Sequence, residues 1–309
     1  MPHSDFETVL ATFPAPVKAM LRKIPASQGK LAGTDVAEMQ QLLGAASLFE
    51  VMAALLPFAQ TFARVPVSNF RVGAVSAGLP AGSNPPALYF GANVEFATEA
   101  LSCTVHAEQS ATNTAWLHGE LGLSALAISA APCGYCRQFL YELVTAQTLE
   151  IVLPQKGAPA PAAKPLTFYV PDAFGPHDLG VNGGLMQKQP ANGLVLTTSD
   201  PLVQAALSAA NSCYAPYTKN FSGVALLASS GEVFTGQYAE NAAYNPSLSP
   251  LQSAVAFMNV SSAPGSSLSI TRAVLVEVPT LASQLAATTV GLASFAPGVA
   301  LEYYVGSTA

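Results

Sequence analysis

The second half of this chain repeats the first, so it must build one structural unit twice. Residues 68–73 (SNFRVG) return as 219–224 (KNFSGV), 91–95 (GANVE) as 236–240 (GQYAE), and 109–111 (QSA) as 252–254 (QSA). Three segments in the same order imply a duplicated domain, each copy burying its own core. The length of 309 residues suits two domains of ordinary size. Half of the residues are hydrophobic and 10% are charged, which supplies two packed cores and is unlike a disordered chain.

Strand and helix signals alternate within the first copy. Residues 70–76 and 87–90 are apolar strand candidates around a Gly/Pro/Ser/Asn turn region. A helix is predicted over 103–118, a buried strand over 126–130 and a helix over 137–145. This alternation predicts a layered α/β domain. Residues 1–48 read as a helical N-terminal region, with Thr34 and Asp35 offering cap side chains before the periodic run Val36, Met39, Leu42 and Leu43. A second helix is expected over 46–63, too short at its apolar stretch (51–63) to span a bilayer and broken by Pro57. Residues 155–165 (QKGAPAPAAKP) read as an extended connector. The domain boundaries expected are 1–48, 49–180 and 190–309.

The net charge is −6, from 12 basic and 18 acidic residues, and no stretch concentrates Lys or Arg. A groove for a nucleic-acid strand is therefore not expected, and a small uncharged substrate fits better. Residues 1–13 include acidic side chains and no uninterrupted apolar core, which is unlike a signal peptide. The expectation is a cytoplasmic protein without membrane association.

The chemistry concentrates in two short segments, Thr104-Val105-His106-Ala107-Glu108 and Pro132-Cys133-Gly134-Tyr135-Cys136. An imidazole and two thiolates suit Zn²⁺, and three protein ligands leave a fourth tetrahedral position for water, as in a catalytic site. A C-x-x-C in a chain with no export signal reads as metal or redox chemistry. Helix N-termini at His106 and at the cysteines would favour the thiolates, and Arg137 could offset their charge. Glu108, two residues past a ligand, is placed to move protons rather than to bind the ion. A purely structural zinc site has no need of that acid. The second copy offers Ser249 and Leu251, or Pro250 and Gln252 in the register shifted by one, and no C-x-x-C follows Ile270, so it cannot hold the same metal.

At these residues the chain resembles the larger, homodimeric bacterial type of zinc-dependent cytidine/deoxycytidine deaminase, whose signature is H-x-E with P-C-x-x-C. The likeness extends to 66–73 (PVSNFRVG), 89–96 (YFGANVEF), 104–111 (TVHAEQSA), 171–179 (PDAFGPHDL) and 238–245 (YAENAAYN), nearly the whole chain. It implies duplicated three-layer α/β/α domains behind a small helical region: a catalytic zinc-binding domain and a C-terminal copy lacking the metal site. It implies one Zn²⁺ per catalytic domain, bound by His106, Cys133 and Cys136. It also implies a homodimer with active sites completed across the subunit interface. The reaction implied is hydrolysis of cytidine and deoxycytidine to uridine and deoxyuridine plus ammonia, in pyrimidine salvage. Water activated on zinc would attack C4 of the ring while Glu108 shuttles protons. Asn93 and Glu95 would hold the sugar hydroxyl, Phe70 would pack on the pyrimidine, and Phe174 would close over the pocket. Cys103 reads as a buried small residue, Cys213 as structural, and His118 and His177 as ordinary surface or loop histidines. A nucleotide substrate is disfavoured because Glu95 would repel a phosphate.

Overall fold

The computed structural model describes residues 4–80, 85–155, 160–266 and 269–308. Residues 1–3 of the N-terminal stretch, 81–84 of the expected turn and 156–159 of the expected connector lie outside the described residues.

The N-terminal part comprises α1 (Ser4–Ala11), α2 (Ala15–Leu21), the two-residue β1 (Lys30–Leu31), α3 (Gly33–Leu43) and α4 (Leu48–Gln60). Thr34 and Asp35 do not cap α3. It starts one residue earlier, behind Ala32, because β1 pairs with Leu88 and Tyr89 and fixes the chain just before the helix. Asp35 falls in the first turn, where its charge favours the helix N-terminus. Ser47 caps α4 by accepting from the Glu50 N–H at 3.3 Å. Pro57 lies inside α4 without ending it. The backbone bond it forfeits is offset by the fully buried Phe58 and Ala59 beyond it, which seat the last turn on the core.

The first copy continues through β2 (Gly73–Ala77), β3 (Leu88–Ala92), α5 (Ala107–Leu117), β4 (Ala125–Ile128), α6 (Gly134–Tyr141), β5 (Glu150–Leu153), β6 (Ala162–Pro165) and the short α7 (Leu166–Tyr169). Its sheet runs β1-β3-β2-β4-β5-β6, with β4 and β5 parallel and the other pairs antiparallel. The last four residues of the expected connector are thus an edge strand. The second copy follows as β7 (Leu194–Val195), α8 (Pro201–Ser212), β8 (Ser222–Ala228), β9 (Val233–Gln237), α9 (Pro250–Ser261), β10 (Ile270–Glu277), α10 (Leu285–Phe295), β11 (Leu301–Val305) and β12 (Ser307–Thr308). Its sheet runs β9-β8-β10-β11, again antiparallel except for the parallel final pair. The strands β3-β2-β4-β5 of the first sheet share one topology with β9-β8-β10-β11 of the second, and the chain is a duplicated α/β protein.

Helices cover both faces of each sheet because glycines let them come close. A Cβ on Gly73 would lie 2.5 Å from the Gln60 amide nitrogen of α4, and one on Gly91, facing the other way, 2.1 Å from the Ala111 nitrogen of α5. In the second copy Gly223 meets α8 in the same manner, and a Cβ on Gly236 would fall 2.1 Å from the Pro250 carbonyl and 2.2 Å from the Ala254 nitrogen of α9. These matches set the register of the repeat. Gly73 corresponds to Gly223, so Asn69 corresponds to Lys219, both at φ 57°, and Phe70 to Asn220. The Asn-Phe pairs that look alike in sequence are therefore offset by one. The same register equates His106 with Ser249 and Glu108 with Leu251.

The element bounds shift where side-chain bonds intervene. β2 begins at Gly73 rather than 70, because residues 67–72 are a loop pinned by Asn93 and Glu95. α5 begins at Ala107 rather than 103, since Val105 pairs with Val94 in a short antiparallel bridge. α6 begins at Gly134, directly after Cys133.

The two copies pack through α5 and α9. Asn113 Nδ2 donates to the Ser253 carbonyl at 3.0 Å, and the Ser253 hydroxyl donates back to Asn113 Oδ1 at 2.6 Å. Gln109 Nε2 reaches the Pro246 carbonyl at 3.4 Å while its counterpart Gln252 reaches the Cys103 carbonyl at 2.9 Å, a reciprocal exchange that follows from the duplication. Gly236→Ala is expected to cost at least about 2 kcal/mol by forcing α9 off its sheet. Urea unfolding measures this, and a loss under about 0.5 kcal/mol would contradict the close approach.

Candidate active site

Two helix starts meet at one point. His106 is the N-cap of α5 and Cys133 the N-cap of α6, with Cys136 in the first turn of α6. His106 Nδ1 lies 3.6 Å from Cys133 Sγ and 3.2 Å from Cys136 Sγ, and the two sulfurs are 3.6 Å apart. Zinc at tetrahedral angles, with Zn–S about 2.3 Å and Zn–N about 2.0–2.1 Å, needs donors roughly 3.5–3.8 Å from one another. Two of the three separations fall in that range and the third, 3.2 Å, is slightly short of it, so the donor set fits a zinc ion in type and closely in spacing. Among the described residues it is also the group of His, Cys, Asp and Glu side chains close enough to hold a metal.

The electrostatics suit a cation. The hydrogen bond with Cys136 lowers the Cys133 thiol to about 5, the same bond and burial push Cys136 up, and the pair shares a proton that a divalent ion would replace. Glu108 is 4% exposed, and burial pushes its carboxyl above the ordinary carboxylate range.

A cavity of about 290 Å³ opens over this point, and it gathers the expected site residues: Phe70, Asn93, Glu95, His106, Glu108 and Cys133 all line it, together with Ala130 and Ala131. Cys136 is fully buried beneath. Asn93 accepts from the Val72 N–H at 2.9 Å and donates to the Phe70 carbonyl at 2.9 Å. Glu95 accepts from the Val67 and Ser68 amides at 2.8 and 3.0 Å and from the Ser68 hydroxyl. Both side chains thus hold the 67–72 loop, and each keeps spare capacity, one N–H on Asn93 and lone pairs on Glu95. Burial works to raise the Glu95 carboxyl, but the Ser68 and Val67 donors outweigh it and keep it below its usual range, so it is a carboxylate. Phe70 is 63% exposed at the mouth of the cavity.

Other expectations change. Phe174 is exposed and lies outside the cavity lining; its carbonyl accepts from Gln138 at 2.8 Å, which holds that loop on α6. The Arg137 guanidinium bonds the Pro132 carbonyl at 2.8 Å and the Tyr169 carbonyl at 3.2 Å, bracing the turn before Cys133. Cys103 is half-buried rather than buried, and Cys213 is fully buried. His118 is half-buried against Tyr89 and Phe257, with Nε2 3.0 Å from the Gln28 carbonyl, while His177 is exposed.

Two contributors escaped the sequence reading. Gln109 Oε1 accepts from the His106 N–H at 3.1 Å and fixes the backbone there. Its signal was the capping spacing, polar residue then Gln three on, repeated at Ser249 and Gln252. The Tyr135 ring lies 5.4 Å from the His106 ring at 33°, a contact that spacing alone does not reveal.

Comparison with known proteins bears on the same residues. Models of the cytidine and deoxycytidylate deaminase zinc-binding region match residues 47–151 and again 166–290. The second match covers the copy without ligands, where Ser249 and Leu251 stand for His106 and Glu108. A cytidine deaminase of Aliivibrio fischeri (strain ATCC 700601 / ES114) is 44% identical over 301 residues, 96% of this chain and 96% of the relative. One of Vibrio atlanticus (strain LGP32) is 44% identical over 304 residues, 97% of this chain and 99% of that one. A crystal structure of cytidine deaminase from Burkholderia pseudomallei is 30% identical over 40% of this chain and 96% of its own, with a TM-score of 0.34. Identity of 44% that runs almost end to end through both copies leaves one assignment: the chain belongs to the cytidine deaminase family.

Proposed function

We infer that this protein is a zinc-dependent cytidine deaminase, hydrolysing cytidine and deoxycytidine to uridine and deoxyuridine with release of ammonia. The observation that carries this reading is the buried Glu108 carboxyl facing the same cavity as His106 and Cys133. In the division of labour that follows, residues 49–180 form the catalytic domain, 190–309 a copy without metal, and 1–48 a helical region packed against α4 and joined to the first sheet through β1.

His106, Cys133 and Cys136 hold the ion, and Glu108 stands beside it. When bound, zinc supplies the Lewis acidity that lets water act as a nucleophile near neutral pH. Glu108 takes the proton that water gives up and delivers it to N3 of the cytosine ring as C4 is attacked. It then carries a second proton to the exocyclic nitrogen, which leaves as ammonia. Its low exposure keeps bulk water from competing for those protons. Asn93 and Glu95, held in place by the 67–72 loop, offer the sugar a donor and a charged acceptor. Phe70 covers the ring from the mouth of the cavity.

The negative Glu95 favours a nucleoside over a nucleotide. The exposed Val67 and Phe70, on the loop at the cavity mouth, support a homodimer in which a second copy completes the site. Action on free nucleosides fits pyrimidine salvage in the cytoplasm. Among the described residues no single helix is long and apolar enough to cross a membrane.

Glu108→Gln is expected to keep zinc, by atomic absorption, while turnover of cytidine falls by about 10²–10⁴-fold. Near-wild-type activity would remove Glu108 from the mechanism. Cytidine should exceed cytidine monophosphate in kcat/KM by at least about 10²-fold, and Glu95→Gln should narrow that gap. Equal use of the two by the wild type, followed as loss of cytosine absorbance, would contradict the role given to Glu95.

A further inference from the structure

The copy without metal ligands grips the helix that carries both cysteines. α6 has eight residues, too few to hold a helical shape in water without tertiary support. Phe139 and Leu140 anchor it in the hydrophobic core. Arg137 and Gln138 tie it to the Pro132, Tyr169 and Phe174 carbonyls of the same copy, and further anchors come from the second copy. Glu142, which ends the helix, is fully buried, and its Oε1 accepts from the Tyr214 hydroxyl at 2.7 Å and the Tyr217 hydroxyl at 2.6 Å. Its Oε2 accepts from the Ala242 N–H at 2.8 Å. All three donors belong to the second copy, and a buried carboxylate so held fixes both position and orientation. One turn earlier, Asn241 Nδ2 donates to the Gln138 carbonyl at 3.0 Å, and Gln138 Nε2 donates to Asn241 Oδ1 at 3.4 Å.

The backbone is tied at the same place. Leu185 N–H donates to the Glu142 carbonyl at 2.8 Å and Val144 N–H to the Leu185 carbonyl at 3.0 Å. A Cβ on Gly184 would fall 2.4 Å from that Glu142 carbonyl, so only glycine lets the segment leading to the second copy lie this close.

We propose that Glu142 is a positioning residue for the metal centre: through it the second copy fixes α6 and with it the placement of Cys133 and Cys136 against His106. This rests on the reading of those three as the zinc ligands. The second copy's own counterpart of the pocket has no such freedom to bind. Asn220, at the position equivalent to Phe70, spends its amide on Glu277 and on the Val278 carbonyl, both at 2.9 Å, and accepts from Gln284 at 3.2 Å. Its contribution to the site is the clamp.

The test compares Glu142→Ala, Glu142→Gln and Tyr217→Phe with Asn220→Ala, which removes buried bonds in the second copy without touching α6. Each is purified as the zinc-loaded full chain and studied well below its own unfolding temperature. Three quantities are followed: the rate of zinc loss to excess chelator, the thiolate-to-metal absorption of the cobalt-substituted protein, and kcat and KM for cytidine. Glu142→Ala is expected to lose zinc about 10–100-fold faster, with a shifted cobalt spectrum and a lower kcat at little-changed KM. Glu142→Gln should be milder, and Tyr217→Phe, which removes one hydroxyl and serves should the alanine variant not fold, milder still but in the same direction. Asn220→Ala should lower the unfolding temperature and leave zinc loss within about twofold of wild type. The proposal is overturned if the Glu142 and Tyr217 variants unfold sooner yet keep wild-type zinc retention and spectrum. It is equally overturned if Asn220→Ala loses zinc as fast as they do. Wild-type protein that takes up no zinc at all would instead strike down the ligand assignment, and the proposal with it.

Discussion

Two sulfurs and an imidazole nitrogen within 3.6 Å of one another depend on two separate helix starts arriving at the same point. Neither start is local to the other: His106 and Cys133 are 27 residues apart. Their meeting is set by the sheet, since α5 is seated on β2 and β3, while β4 leads directly into the turn before Cys133. The helix seats depend in turn on glycine. At Gly91 no side chain separates strand from helix, and the first turn of α5 comes to rest where His106 and Glu108 face the opening between the two helix starts.

Duplication supplies the rest of the frame. Each copy has the same order over four central strands, the same glycine-to-helix contacts and the same carboxylate bracing a loop, Glu95 bonded to Ser68 in the first and Glu240 to Thr218 in the second. The second copy lacks counterparts of His106, Cys133 and Cys136 but has the same bracing, which holds a loop in both. Chemistry and architecture have separated between two units of one ancestry, and in the first they coincide.

The cluster of imidazole and two sulfurs was legible because its spacing is local. H-x-E at a helix start and P-C-x-x-C before another each place their groups within one turn, so residue order alone gives their proximity. The buried strands were legible for the same reason, although their ends moved wherever a distant side chain claimed the backbone, as Asn93 claims Val72. The repeat was legible but its register was not. Asn69-Phe70 and Asn220-Phe221 look equivalent, yet Lys219 takes the left-handed turn that Asn69 takes, and nothing in a lysine announces this. The clamp on α6 was beyond reach, since Glu142 finds its partners 72 to 100 residues away with no periodicity to mark them.

The central claim is a zinc ion held by one nitrogen and two sulfurs of this chain, with a fourth corner left for water beside Glu108. X-ray absorption at the zinc edge of the purified protein tests it most directly. The account requires two sulfur neighbours at about 2.3 Å and two nitrogen or oxygen neighbours at about 2.0 Å. A third sulfur at the same distance would mean that Cys103 closes the site, and with no corner open for water the account would be wrong.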